Sequence, residues 1–386
     1  PLPRFTGVIA MKYLRLQKAQ VLLGCTVLNR QIICSRYSSI NTETAAPTTS
    51  TRRGLSASSA VVGFNCKSTT RSNSRTTTSM NRDYTTHNAS LCSFVVRSAS
   101  LPSPSTRCCS YQTVGHGNVD TIKRARERLS PLGDGSISLS KDDDSGIATI
   151  TIQHSDRKNA LSGRMMVELS DVVSDLECWS NGRGLVLQSE GDFFCSGGDL
   201  TTVSEIANPQ DGLLMTTIMH DTLTRLRCLP LVSVCLVQGR ALGGGAEIVT
   251  STDFRLFTRS AEIRFVQGVM GLSTGWGGGT RLVQLVGART ALELLLTAKI
   301  VNPDDALKIG LADDLIADHA GRYELARQWL AKRVRFEPQI VQAMKRLVIS
   351  ARDDSVKDSR EVEKTIFVSL WGAPAQLKAL GKNIKH

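Results

Sequence analysis

Acidic residues are nearly absent from the first third of this chain. Across residues 1–119 only Glu43 and Asp83 are acidic, against 14 lysines and arginines. That imbalance supplies the whole formal charge of +12, because the 33 basic and 33 acidic residues beyond it cancel. The basic balance therefore says nothing about a basic functional face in the remaining two-thirds. No run approaches the roughly 20 consecutive apolar residues of a membrane-spanning helix. The apolar stretch at 21–28 is interrupted by Asn29-Arg30 and has no clear small-residue cleavage site, which argues against a secretory signal. The leader also lacks the interleaved aromatics of a single-strand-binding surface, Tyr84 being isolated. Its charge can draw nucleic acid or an anionic membrane only non-specifically, so no specific nucleic-acid partner is expected. Beyond residue 119 the cysteines Cys178, Cys195, Cys228 and Cys235 show no metal-type or disulfide-type spacing. They are expected to be reduced, and no metal is expected.

What the leader has is Ser, Thr and Arg, as in Thr48-Thr49-Ser50-Thr51-Arg52-Arg53. Such a composition buries too little apolar surface to offset chain entropy, so residues 1–119 are expected to be disordered. Abundant Arg and Ser with little acid also suits an organelle transit peptide, its amphipathic part at residues 11–36. The opening Pro1 in place of Met leads us to expect a fragment or an over-extended reading frame. Asn88-Ala89-Ser90 fits a glycosylation sequon, meaningful only in a secreted chain.

Residues 120–386 read as one domain without internal repeats. The segment 122–129 is charged and helical in pattern, and Thr149-Ile150-Thr151-Ile152 alternates as a strand does. Ser162 can cap a helix with Met165, Leu169, Val172 and Leu176 on its apolar face. Gly184-Leu185-Val186-Leu187 and residues 231–237 read as buried strands, with a helix marked by Leu214, Ile218 and Leu226 between them. The alternation predicts an α/β fold. From about Arg289 onward the pattern is mostly helical, including residues 291–298 and 323–334.

Two loops carry the chemistry. One is Phe193-Phe194-Cys195-Ser196-Gly197-Gly198-Asp199-Leu200; the other runs Gln238-Gly239-Arg240-Ala241-Leu242-Gly243-Gly244-Gly245-Ala246-Glu247 into a helix. Both follow strands. Glycine lets the main chain turn sharply and approach a ligand closely. Two such loops across adjacent strands can aim two backbone N–H groups at one oxygen, an oxyanion hole. Each donor of that kind contributes roughly 2.7–4 kcal/mol of transition-state stabilisation.

With Asn159-Ala160-Leu161-Ser162, these loops make the region from Ile122 to the C-terminus resemble the enoyl-CoA hydratase/isomerase, or crotonase, family. The resemblance implies a ββα spiral whose C-terminal helices assemble trimers or hexamers, and an acyl-CoA thioester as substrate. It places the oxyanion donors on Gly198 and Gly244. Asn159, Ala160, Ser196, Asp199, Leu200 and Gly243 would line the CoA pocket, and no separate cofactor is implied.

Hydratase members use two glutamates. Glu247 matches the first, whereas Gln267 stands where the second is expected, and glutamine cannot act as a general base near neutral pH. Glu262, the nearest acid, falls on the other side of the strand start. An oxyanion hole with one carboxylate suits decarboxylation of a malonyl-type thioester, in which loss of CO2 makes the enolate directly. Ile263-Arg264-Phe265-Val266, Gly275-Trp276-Gly277-Gly278 and Leu370-Trp371-Gly372-Ala373-Pro374-Ala375 also resemble the family's decarboxylating members, which act on ethylmalonyl-CoA and methylmalonyl-CoA. The substrate carboxylate would lie near Gln267 and Trp276, where a low-polarity wall favours its departure. Glu247 either delivers the proton or positions water, or else only orients its loop. Trp276 is either substrate wall or core. Arg264 is expected as a surface ion-pair partner. The leader points to mitochondria, the decarboxylating members to the cytosol.

Rival readings are a hydratase or isomerase of fatty-acid oxidation, a non-catalytic or nucleic-acid-binding homologue, and a serine hydrolase. The last rests on Gly271-Leu272-Ser273-Thr274-Gly275, a G-x-S-x-G pattern. After it come only His319 and His386, so a catalytic triad is not expected. Cys195, with no histidine near it in sequence, reads as a packed small residue.

Overall fold

The computed structural model describes residues 119–381. The leader up to residue 118, with its proposed transit segment and sequon, lies outside the described residues. The first described element is helix α1 (Val119–Leu129).

The central sheet has six strands in the order β1 (Ser136–Asp142), β2 (Ile147–Gln153), β3 (Gly184–Ser189), β4 (Val232–Val237), β6 (Phe254–Thr258) and β8 (Asp314–Ile316). β1 and β2 form an antiparallel pair, and every later pairing is parallel. Parallel strands covered on both faces carry continuous apolar runs, and β3 is buried along nearly its whole length. Its alternation still sorts side chains by face. Leu185 and Leu187 enter the larger core with Ile150 and Ile152, whereas Val186 joins Ile147, Val234 and Leu256 on the other face. Each such side chain contributes about 1.5–3 kcal/mol when fully buried.

Helices α2 (Gly163–Glu177) and α4 (Pro209–Cys228) supply the larger core, and α9 (Arg322–Ala331) covers the opposite face through Ala326 and Leu330. The Ser162 cap is real: its hydroxyl accepts from Met165 N at 3.2 Å, a bond whose loss costs about 1 kcal/mol. The buried arc of α2 is broader than the expected stripe. It includes Met166 and Val173, while Val172 is only half-buried. The helix packs against α1, β1 and α4, so more than one neighbour covers it. The short strand β8 lies inside the region read as mostly helical, and three residues are too few to show alternation.

A second set of pairings lies beside the main sheet and positions the site. β5 (Arg240–Leu242) runs parallel to β7 (Glu262–Arg264), and single bridges extend the set from Leu161 to Gly198, from Cys195 to Ala241 and from Ile263 to Val301. The architecture is α/β, as the alternation of strands and helices predicts.

Candidate active site

The two glycine loops meet through this second set of pairings. Cys195 N donates to Arg240 O at 3.1 Å, and Leu242 N donates to Cys195 O at 2.9 Å. On its other flank the first loop pairs with the 161 strand: Leu161 N donates to Gly197 O and Asp199 N to Leu161 O, both at 2.8 Å. Gly197 has φ +102°, and a Cβ there would lie 3.3 Å from Gly244 N and 3.1 Å from Leu242 O. The positive φ favours glycine here, and the crossing leaves little room for a side chain. The N–H groups of Gly198 and Gly244 have no acceptor among the described residues, and both residues are partly exposed. Protein interiors seldom leave backbone donors unpaired, so two at the contact of two loops mark a place for an acceptor. Gly243, by contrast, commits its N–H to Arg264 O at 3.0 Å and serves the turn through its φ of +53°.

Glu247 lies one turn into helix α5 (Gly244–Val249) and is 2% exposed. Its Oε1 accepts from Gln267 Nε2 at 2.9 Å and Gly275 N at 3.2 Å; its Oε2 accepts from Trp276 N and Gly278 N, each at 2.8 Å. An ionised carboxylate offers about four lone-pair sites, and four donors meet this one. Gln267 is thus brought to Glu247 as the motif order implied, through its amide nitrogen. Its Oε1 is buried with no partner, and reversing the amide would set oxygen against carboxylate. Trp276 is 4% exposed, and its ring stands against both loops. A Cβ on Gly244 would overlap its six-membered ring, and one on Gly198 would lie 3.9 Å from its Cζ2. The ring is therefore core, packed against both loops.

The other expected pocket residues use their polar groups within the fold. Asn159, buried at φ +54°, accepts from His154 N at 2.8 Å and donates to Glu190 O and Phe193 O, both at 2.7 Å. Its main chain is committed as well: Asn159 N donates to His154 O at 2.8 Å and Ala160 N to Arg157 O at 3.1 Å, while Ala160 O lies 2.9 Å from His154 Nδ1. Ser196 donates to Arg157 O at 3.3 Å, and Asp199 caps helix α3 (Leu200–Glu205) by accepting from Thr202 N at 3.0 Å. Leu200 is largely exposed at the start of that helix. Arg264 does not make the expected ion pair: its Nε donates to Ala298 O, because the carbonyl ending helix α7 (Ala288–Thr297) stands within reach. Glu262 pairs with Arg240 at 3.0 Å, away from Glu247.

Two features escaped the sequence reading. Lys158 and Arg240 approach the Phe193 ring, at 5.5 and 5.8 Å from its centroid, and make a basic edge next to Ala160 and Ser196. Their separation in sequence hides this. Arg281, 5% exposed, lies under Trp276, and burial lowers its pKa to about 10 against the opposing pull of Glu247. The signal was available: in helix α6 (Gly278–Val286) Arg281 sits three residues after Gly278 and beside Leu282, a charge on the buried stripe.

Neither nucleophile reading gains support. Burial pushes the Cys195 thiol up to about 12, and its hydrogen-bonding neighbour is Gly197. Ser273 is exposed in a loop and bonds to Thr274 O at 3.4 Å; His319 serves Gly321 N instead. Among the described residues no group of three or more His, Cys, Asp or Glu could hold a metal ion, and no helix is long and apolar enough to cross a membrane.

Comparison with known proteins agrees with this geometry. The fold is shared with the enoyl-CoA hydratase of Bacillus anthracis, at a TM-score of 0.59 and 23% identity over 64% of this chain and 94% of that one. A Thermobifida fusca protein solved with acetoacetyl-CoA gives 0.55 and 26%, covering 64% of this chain and 98% of that one. The Ethylmalonyl-CoA decarboxylase of Xenopus laevis is 46% identical over 282 residues, which span 72% of this chain and 93% of that protein. The human protein of the same name is 38% identical over 278 residues, 72% of this chain and 90% of its own length. The pattern of the Enoyl-CoA hydratase/isomerase family matches residues 142–377, and the chain belongs to that family.

Proposed function

We propose that this protein is a carboxy-lyase that removes the free carboxyl group of ethylmalonyl-CoA, and of methylmalonyl-CoA, through a thioester enolate. The observation that carries the reading is the state of the carboxylates beside the two unpaired amides. A hydratase needs two that can exchange protons, whereas here Gln267 takes one position and binds the other, Glu247, whose oxygens already accept four donors. Decarboxylation needs no base. The thioester oxygen accepts from Gly198 N–H and Gly244 N–H. The bond between Cα and the carboxyl carbon breaks, its electron pair moves into the enolate, and neutral CO2 leaves. One proton added to Cα then gives butyryl-CoA or propionyl-CoA. The two amides act on charge that grows during bond breaking, where preorganised donors are most effective. The face of Trp276 excludes water from the departing carboxylate, and desolvation favours loss of its charge. No cofactor enters these steps.

The CoA moiety follows the chain at residues 196–200, with Lys158 and Arg240 near its phosphates. Assembly as a trimer or hexamer is part of the same proposal. Its support is the C-terminal hairpin of α10 (Pro338–Asp353) and α11 (Val356–Leu370) with α12 (Pro374–Leu380). There Phe367, Val368, Trp371, Leu377 and Leu380 are exposed, and Phe367 and Trp371 line a groove of about 610 Å³ together with Phe336 and Ile340. Apolar surface of this kind belongs to interfaces.

The deciding assay offers ethylmalonyl-CoA and crotonyl-CoA to the purified protein and measures CO2 and hydration separately. CO2 release from the first is expected. Rapid hydration of crotonyl-CoA with no CO2 from ethylmalonyl-CoA would overturn the reading.

A further inference from the structure

Trp276 reaches the oxyanion amides from a turn, and a turn needs something to hold it. The hold has two polarities. The carboxylate of Glu247 accepts the N–H groups of Gly275, Trp276 and Gly278. From the other side Arg281 Nη2 donates to Trp276 O at 2.8 Å and to Glu247 O at 3.1 Å, while its Nε donates to Thr250 Oγ1 at 3.0 Å. The two charges do not pair head to head. Each is matched instead to the main chain of the turn between them, donors by the anion and an acceptor by the cation. Glycines allow the close fit: Gly277 takes φ +79°, where a Cβ would lie 2.7 Å from Arg281 Nη1, and a Cβ on Gly278 would overlap Glu247. His220 borders the same turn at Gly277, and partial burial followed by the charge of Arg281 lowers its pKa.

We propose that Arg281 is a positioning residue of this site: with Glu247 it locks the 275–278 turn so that the Trp276 ring stays against Gly244 and Gly198. Glu247 acts in the same way, through the turn. Removing either partner leaves main-chain groups unmatched in a dry interior. The turn then relaxes and the ring moves. A displacement near 1 Å at a reacting centre costs about 100-fold in rate. The activity readout rests on the decarboxylase reading, whereas the position of the ring does not.

The test uses the full chain with Arg281→Met, Arg281→Lys, Glu247→Gln and the Glu247→Gln/Arg281→Met double variant. Decarboxylation of ethylmalonyl-CoA is measured across pH, and Trp276 emission is read as the difference from Trp276→Phe. Arg281→Met is expected to lower kcat about 100-fold with a smaller change in KM. Its Trp276 emission should shift to the red, and the shape of its pH–rate profile should be kept. Arg281→Lys should recover part of both signals, and serves in its place if Arg281→Met does not fold. Glu247→Gln should shift emission in the same direction, with the double variant no worse than the worse single one. Wild-type kcat and unshifted emission in a folded Arg281 variant would overturn the proposal. So would a Glu247→Gln protein that loses one limb of the pH profile with emission unchanged, since Glu247 would then be transferring the proton itself. If the wild-type protein releases no CO2, the decarboxylase reading falls, and the emission shift alone decides the role of Arg281.

Discussion

The two glycine loops present one amide each, but they are held in different ways. The first, at residues 195–199, is pinned by main-chain pairing on both flanks, to Leu161 on one side and to the 240–242 strand on the other. The second, at 243–247, pairs on one flank only, and its other side rests on side chains: the Trp276 ring, the Glu247 carboxylate and, beneath them, Arg281. A loop held by main chain depends little on which side chains surround it. One braced by a buried ring and two buried charges transmits any change in them to its amide.

That contrast can be broken most severely where the loops touch. A Cβ on Gly245 would overlap Cys195 O, a main-chain atom held in the bridge to Ala241. Gly245→Ala should therefore cost about 3 kcal/mol of stability, read as a fall in Tm, and an unchanged Tm would show the crossing to be looser than described. Gly244→Ala should come next. Its new methyl meets the Trp276 ring instead of main chain, so the fold should survive while kcat drops about 100-fold. Adding Trp276→Phe should restore part of that loss.

Gly198→Ala tests the better-pinned loop. Its methyl would meet Val203 Cγ2 at 3.1 Å, a side-chain atom that can give way. A strain near 1 kcal/mol corresponds to less than about a tenfold loss in kcat/KM. A loss as large as that of Gly244→Ala would erase the contrast. The smallest effect is expected at Cys195, buried in the first loop with its thiol pushed up to about 12. Iodoacetamide should label exposed Cys178 in the native protein and leave Cys195 unmodified.

Much of this was legible before any coordinates. The Ser162 cap and the strand-loop order follow from local spacing, which three- and four-residue periodicities report well; the place of Gln267 followed from the family resemblance. What escaped was of another kind. Arg264 was read as an ion-pair partner because its strand position faces outward, and only packing reveals the Ala298 carbonyl that takes its hydrogen bond. Lys158 and Arg240 flank one ring although 82 positions separate them, and periodicity carries no signal at that range. Val173 and Met166 were missed because a helix covered from more than one side buries more than one stripe.

By itself the sequence determined that two glycine loops would follow buried strands and that their amides could converge, and its resemblance to the family implied that a glutamine would stand where a second carboxylate acts in hydratases. Those are matters of residue type and order, set by backbone freedom and by which side chains can carry a proton. Only the tertiary structure decided what surrounds Glu247. Whether a carboxylate is free to move a proton depends on how many donors surround it, and three of its four come from a turn 28 to 31 residues away. Chain folding brings those N–H groups to it, and no local pattern encodes their number.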